Sequence, residues 1–330
     1  MLRRLITDYA LRVTGFLMID NDMNGNSIAV QVNDLRRTFG DFVAVDNISL
    51  SVRRGEIFGF LGPNGAGKST TIRMLCGLLM PTGGTGTVGG FDINKESELI
   101  KKVIGYMSQK FSLYDNLTVE ENINFFGGVY NVPKEKKIER KEWVLNMAGL
   151  KEERHALTRT LLAGFKQRLA LGCAILHDPH IIFLDEPTSG VDPISRRNFW
   201  NLINGMSQAG TTVFVTTHYM DEADYCDRLA LIYRGKIVAE GTPTDLRRKH
   251  MTRDVLEVNV DKVVEAFNTL TFHKIEAAIF GSTLHVVVDD EETFRERISS
   301  VLAESGVAVK GIEKIPPSLE DVFVTLIEVS

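Results

Sequence analysis

Short apolar windows separated by polar turns dominate both ends of this chain, whereas apolar residues at helical spacing dominate its middle. Residues 28–33 and 48–52 alternate or run apolar with β-branched side chains around a turn at Gly40 and Asp41, which predicts an antiparallel hairpin. Residues 56–61 (EIFGFL) suit a buried strand, and residues 71–79 (TIRMLCGLL) carry the periodicity of a helix. The glycine-dense passage GGTGTVGG, residues 83–90, predicts a short strand at 85–88 between turns and is otherwise loop punctuation. From about residue 111 to 172 the stretches LTVEENINFFGGVY, IERKEWVLNMAGL and LAGFKQRLALGCAIL are amphipathic, which predicts an inserted helical subdomain. Strands return at 181–185, 212–217 and 229–233, with a helix between the first two, and Arg234-Gly235 turns a hairpin into 236–239. This alternation predicts an α/β core with a mostly parallel sheet.

Beyond about His250 the order is strand (255–260), helix (263–270), two strands (275–280 and 283–288), helix (293–304) and strand (307–312). That βαββαβ order predicts a small α+β domain of ferredoxin-like form, with the closing PSLEDVFVTL helix docking back. It holds no group of titratable residues arranged for catalysis, so its expected role is regulatory or dimer-stabilising. The expected domains are therefore 28–248 and 251–330, preceded by an extension at 1–27. The extension has apolar residues near helical spacing and three arginines, without a small-residue cleavage site after them. It fits an amphipathic surface helix or a start assigned too early, since Met18 and Met23 lie just before the first strand.

Composition narrows the function. A length of 330 residues with 44% hydrophobic content suits one large domain beside a smaller one. The net charge of −5, with both signs interspersed, gives no footprint for a nucleic-acid partner. Cys76, Cys173 and Cys226 are odd in number and far apart, which disfavours a disulfide framework or a thiolate metal site and suits a reducing cytosol. No apolar run reaches eighteen residues, so any membrane role needs a partner.

The strongest chemical signal is Gly62–Thr70, GPNGAGKST, which fills every fixed place of G-x-x-x-x-G-K-[ST] between the predicted strand and helix. Gly62, Gly65 and Gly67 let the backbone curl until several N–H groups converge on a phosphate, with Pro63, Asn64 and Ala66 completing the loop. Lys68 adds a point charge, and Ser69, followed by Thr70, offers a hydroxyl to the Mg²⁺ that accompanies a nucleotide. The helix beginning there adds the positive end of its dipole. Further on, Ile181–Glu186 is four apolar residues ending in two carboxylates, the form of a buried strand delivering acids to the ligand end of a sheet. Asp185 is placed to hold Mg²⁺ and Glu186 to orient and deprotonate the attacking water.

The order of these motifs resembles the ATP-binding subunit of ATP-binding-cassette (ABC) transporters over roughly residues 28–246. The resemblance implies a phosphate-loop nucleoside-triphosphatase core with an antiparallel β region and a helical subdomain, and ATP with Mg²⁺ as ligands. It further implies that Phe39, in RRTFG, stacks on adenine, that Gln109, in YMSQK, touches Mg²⁺ and the water, and that His218, in VTTHYMDEA, contacts the γ-phosphate. Ser189–Asp192 (SGVD) resembles the segment through which paired subunits communicate.

The family signature L-S-G-G-x-x-Q departs here to Leu161-Leu162-Ala163-Gly164-Phe165-Lys166-Gln167. In that family the signature of one subunit covers the phosphate held by the other, so Leu162, Ala163 and Gly164 are the expected cross-subunit contacts. Leu162 has no hydroxyl to donate, a loss of roughly 1.5–3 kcal/mol against a charged acceptor, and slower or weaker closure is the expectation. YMSQKFSLYDNLTVEEN and the closing PSLEDVF are similar to the multidrug-type exporter branch. The implied function is ATP hydrolysis in a dimer, expected to be a homodimer, peripheral on the cytoplasmic face of the inner or plasma membrane and driving separate permease subunits. The alternatives are a soluble ABC ATPase outside transport, which lacks the expected coiled-coil or zinc insertion or second cassette, and a weakly hydrolysing regulatory subunit, motivated by Leu162 and Ala163.

Overall fold

The computed structural model describes residues 27–110, 113–251 and 253–328, so residues 1–26 of the N-terminal extension, with the helix expected there, lie outside the described residues. Three strands whose every residue is buried form the centre of the first part: β3 (Ile57–Leu61), β7 (Ile181–Asp185) and β8 (Thr212–Thr217). Their apolar and β-branched runs need cover on both faces, which is the condition for a parallel sheet. With β6 (Ile104–Met107), β9 (Arg228–Tyr233) and β10 (Lys236–Gly241) they make a six-stranded sheet of order β10-β9-β3-β8-β7-β6. β3 runs parallel to both β8 and β9, and β7 parallel to both β6 and β8. β3, β6, β7, β8 and β9 therefore end at one edge, and the loops beyond them share one end of the sheet.

A second, antiparallel sheet has the order β2-β1-β4-β5 and contains β1 (Ile28–Phe39), β2 (Phe42–Arg53), β4 (Gly83–Val88) and β5 (Phe91–Asp92). β1 and β2 continue the expected hairpin strands up to the turn itself. The glycine-dense passage is strand rather than punctuation over its first six residues, pairing with β1 through Val30–Val88 and Val32–Gly86. Glycine is required there by proximity: a Cβ on Gly86 would lie 2.5 Å from the Gln31 carbonyl oxygen.

Helix α1 (Lys68–Leu75) packs Ile72, Met74 and Leu75 into the core beneath this sheet, together with Leu35, Ile48 and Phe183. After α2 (Ser97–Val103), helices α3 (Val119–Val129), α4 (Lys134–Ala148) and α5 (Ala163–Ala174) form the expected helical segment around Ile123, Val144, Leu145 and Leu169. Thr118 and Glu121 form a capping box that starts α3, and left-handed Gly149 ends α4. Helix α6 (Pro193–Gln208) follows β7, capped by Asp192, and covers the other face of the sheet with Phe199, Trp200 and Ile203.

The chain divides into two compact units between Glu240 and Gly241. This is earlier than the expected 248–251, because α7 (Pro243–His250) buries Leu246 within the second unit and packs on α10 (Leu319–Glu328). That unit holds β11 (Asp254–Val260), α8 (Val263–Phe272), β12 (Ala277–Phe280), β13 (Thr283–Val288), α9 (Glu291–Glu304) and β14 (Val309–Ile315). Its sheet has the order β12-β13-β11-β14 with every neighbouring pair antiparallel, which is the ferredoxin-like arrangement of a βαββαβ chain. Leu256, Val258, Leu270, Ile298 and Leu302 fill its core. Cys76, Cys173 and Cys226 are free and buried. Among the described residues no helix is long and apolar enough to cross a membrane.

Candidate active site

Between β3 and α1 the chain turns through Gly62–Gly67, with Gly65 at φ 81° and Gly67 at φ 109°. Those left-handed values suit glycine alone among ordinary residues, and packing adds a second reason at Gly67. A Cβ there would meet the Ala44 carbonyl oxygen of β2 at 2.5 Å, and one on Gly62 would meet the Ile232 oxygen of β9 at 2.2 Å. Asn64 and Gly65 are exposed, Pro63, Ser69 and Thr70 half-buried, and Ala66 and Lys68 buried. Lys68 Nζ donates to the carbonyls of Gly62 (2.7 Å) and Pro63 (3.0 Å) and pairs with Glu186 Oε1 at 3.0 Å.

At the end of β7 the two carboxylates part company. Asp185 turns towards α1, where its Oδ1 accepts from Ser69 Oγ at 3.0 Å and from Thr216 Oγ1 at 2.8 Å. Burial pushes its carboxyl above the usual carboxylate range, with the hydrogen bonds from Thr216 and Ser69 pulling the other way. Glu186 is 5% exposed and sits at φ 46°, in the left-handed region that glutamate seldom occupies. Such backbone costs on the order of 1–3 kcal/mol, and the surrounding contacts hold it: its N–H donates to Thr216 Oγ1 at 3.0 Å. Its Oε2 accepts from Gln109 Nε2 at 3.0 Å and lies 3.1 Å from His218 Nδ1.

Lys68, Ser69, Gln109, Asp185, Glu186 and His218 thus converge at the ends of β3, β6, β7 and β8. The Ser69 hydroxyl and the Asp185 carboxylate, 3.0 Å apart at the start of α1, are a hard-oxygen pair suited to Mg²⁺. Glu186, anchored at the strand end and flanked by an amide and an imidazole, can hold a water against a phosphate bound by the loop. Phe39 stands apart from this cluster, 46% exposed at the hairpin tip, with the Arg37 guanidinium 4.5 Å from its ring centroid. The tip reaches the phosphate loop through Ala44, two residues beyond Phe42 on β2. Leu162, Ala163 and Gly164 begin α5, where Leu162 is 73% exposed and supplies no side-chain cap. Gly164 lies against α6, its Cβ position 2.5 Å from Ser195 Oγ.

Two contributors escaped the sequence reading. Thr216 ties Asp185 to the Glu186 backbone, and its only signal was a pair of hydroxyls closing the apolar run TVFVTT. β6, which delivers Gln109, is a four-residue edge strand too short to stand out by periodicity.

Known proteins resemble this chain. The model of the family described as ABC transporter matches residues 45–189, and that of the ATP-binding protein DrrA1-3-like C-terminal domain matches 241–327. The probable multidrug ABC transporter ATP-binding protein YbhF of Escherichia coli K12 is 55% identical over 218 residues, covering 66% of this chain and 38% of YbhF. The chain therefore spans well under half the length of that relative. The linearmycin resistance ATP-binding protein LnrL of Bacillus subtilis 168 is 35% identical over 311 residues, covering 90% of this chain and 97% of LnrL. Among solved structures, the dimeric structure of MJ0796, a bacterial ABC transporter cassette, superposes with a TM-score of 0.60 at 26% identity, covering 64% of this chain and 98% of that one.

Proposed function

Because this chain belongs to the ABC transporter ATP-binding family, we propose that it is an ATPase that works in pairs, hydrolysing Mg-ATP to drive a separate membrane permease that exports its substrate. The observation that carries this reading is the meeting of Lys68, Gln109 and His218 on Glu186 at the strand ends, each within 3.1 Å. Lys68 and the loop N–H groups hold the β- and γ-phosphates, and the face of Phe39 receives the adenine. Ser69 and Asp185, with Gln109, would hold Mg²⁺, which would supply positive charge against the phosphates. Glu186 takes the proton of the attacking water, and His218 donates to the γ-phosphate side of the site. A second copy is the source of the Leu162–Gly164 backbone over the first copy's phosphate, and two nucleotides then close the pair.

Export as the direction follows the names of the relatives, which are a multidrug transporter subunit and a drug-resistance subunit. The multidrug ABC transporter in the name of YbhF does not favour a soluble ATPase outside transport. Attachment through a permease places the chain on the cytoplasmic face of the plasma or inner membrane. The test is purification from native membranes in mild detergent, identification of what co-purifies, and Mg-ATP turnover beside Glu186→Gln. A stoichiometric polytopic partner with turnover abolished by Glu186→Gln is the expected result. A chain that purifies without a membrane partner would overturn the transport reading, and a partner with no turnover would make this a nucleotide clamp centred on Leu162.

A further inference from the structure

Glu222 is a carboxyl side chain with no solvent exposure, in the 3-10 turn Met220–Tyr225 that follows His218. A buried acid needs partners, and its two partners come from the far side of the site. Thr188, two residues beyond Glu186 and 1% exposed, donates its hydroxyl to Glu222 Oε1 at 2.6 Å. Arg196, in the first turn of α6, brings Nε to 3.6 Å from the same oxygen and donates from a terminal nitrogen to Asp221 Oδ2 at 3.3 Å. The Arg196 guanidinium also lies 4.2 Å from the Tyr219 ring centroid, and the Tyr219 ring lies 4.1 Å from that of His218. A closed circuit results: Glu186, Thr188, Glu222, Arg196, Tyr219, His218, and back to Glu186 through the 3.1 Å contact.

We infer that Thr188, Glu222 and Arg196 are positioning residues that fix His218 against Glu186, so that the segment after β7 and the segment after β8 move as one body. The strands deliver Asp185 and Thr217 by their own hydrogen bonds, and the Glu186 N–H still reaches the Thr216 carbonyl at 3.1 Å, but His218 lies beyond the parallel pairing, which ends at Leu61–Thr217. Outside the ladder, side-chain links must supply the alignment that the sheet supplies inside it. The Arg196 stack is directional, since a planar guanidinium matches an aromatic face and an ammonium does not.

The inference rests on the reading that Glu186 and His218 act on ATP. Its test uses the full-length chain and steady-state Mg-ATP turnover, with thermal unfolding measured on every variant. Thr188→Val removes the hydroxyl at constant shape and is expected to lower kcat by about ten- to a hundredfold while KM for ATP stays within about twofold. Thr188→Ser is expected to recover most of that loss. Arg196→Lys, at a partly exposed position that tolerates the change even if Thr188→Val does not fold, is expected to show the same split. In a His218→Ala background neither substitution should cost anything further, because both act through His218. Full additional losses in that background, or kcat unchanged in Thr188→Val and Arg196→Lys while Glu186→Gln is inactive, would overturn the inference and leave the functional reading standing. Undiminished turnover in Glu186→Gln would remove the reading and the inference together.

Discussion

Each unit of this chain brings a carboxylate and a histidine within hydrogen-bonding distance, Glu186–His218 in the first and Asp321–His285 in the second, at 3.1 and 2.8 Å. The second pair is closed. His285 is 8% exposed and stacked on Phe280 at 3.7 Å between ring centroids, and Asp321 also accepts from the backbone N–H and hydroxyl of Ser318, both at 2.7 Å, to start α10. Both carboxylate oxygens of Asp321 are engaged within the fold, and the pair fastens α10 to β13. Glu186 differs in what surrounds it. Its neighbours are a half-buried histidine, an exposed glutamine and the lysine of a glycine loop, all side chains that can exchange a protein partner for a ligand. Composition of the pair is the same, so chemistry comes from strand-end placement and from partners that can be given up.

The sharpest way to break this comparison is Glu186→Gln, expected to lower Mg-ATP turnover by at least about a hundredfold with nucleotide binding retained in calorimetry. If Asp321→Asn did the same in correctly folded protein, the contrast between the pairs would be false. Next in size, Lys68→Ala is expected to weaken ATP binding by about 1.5–3 kcal/mol, roughly ten- to a hundredfold in Kd by calorimetric titration.

Asp321→Asn is expected to cost the second unit about 1–3 kcal/mol of stability, read by hydrogen exchange of its strands, with turnover changed less than about twofold. Its pH dependence sharpens the contrast. Burial pushes the Asp321 carboxyl up, but the hydrogen bonds from His285 and Ser318 outweigh this and hold it below the usual carboxylate range. The stability it contributes is therefore complete above the unfolded value of about 3.9 and is lost as pH falls through the lower folded value. Asp321→Asn should flatten that acid limb in urea titrations of the second unit. The last variant is Leu162→Ser, which adds an N-cap to α5 worth about 1 kcal/mol and is expected to raise turnover and ATP-driven pairing by about tenfold, the low end of what the missing hydroxyl donor is worth. Unchanged turnover and pairing would mean that the leucine does not weaken closure.

Much of the site was legible because its determinants are contiguous. Gly62–Thr70 writes its own backbone conformation in glycines, and Ile181–Glu186 joins strand and acids in six residues. The fold class and the βαββαβ order were readable for the same reason, since apolar periodicity is local. What could not be read depends on pairing across the chain. Gly83 and Gly84 join the strand expected at 85–88 because β1 lies beside them, and the unit boundary falls at Glu240 because α7 packs on α10, about seventy positions away. Thr188 and Glu222, 34 residues apart, gave no sign of one another, nor did His285 and Asp321 at 36.

The left-handed backbone at Glu186 has a consequence for descent. Judged by conformation alone, position 186 favours glycine or asparagine, and a population selected only for a well-folded chain would drift towards them. A glutamate there carries a conformational cost that folding alone does not explain. Lineages that came to use this chain for nucleotide binding without hydrolysis should have lost residue 186 early, while still keeping the glycines of the loop.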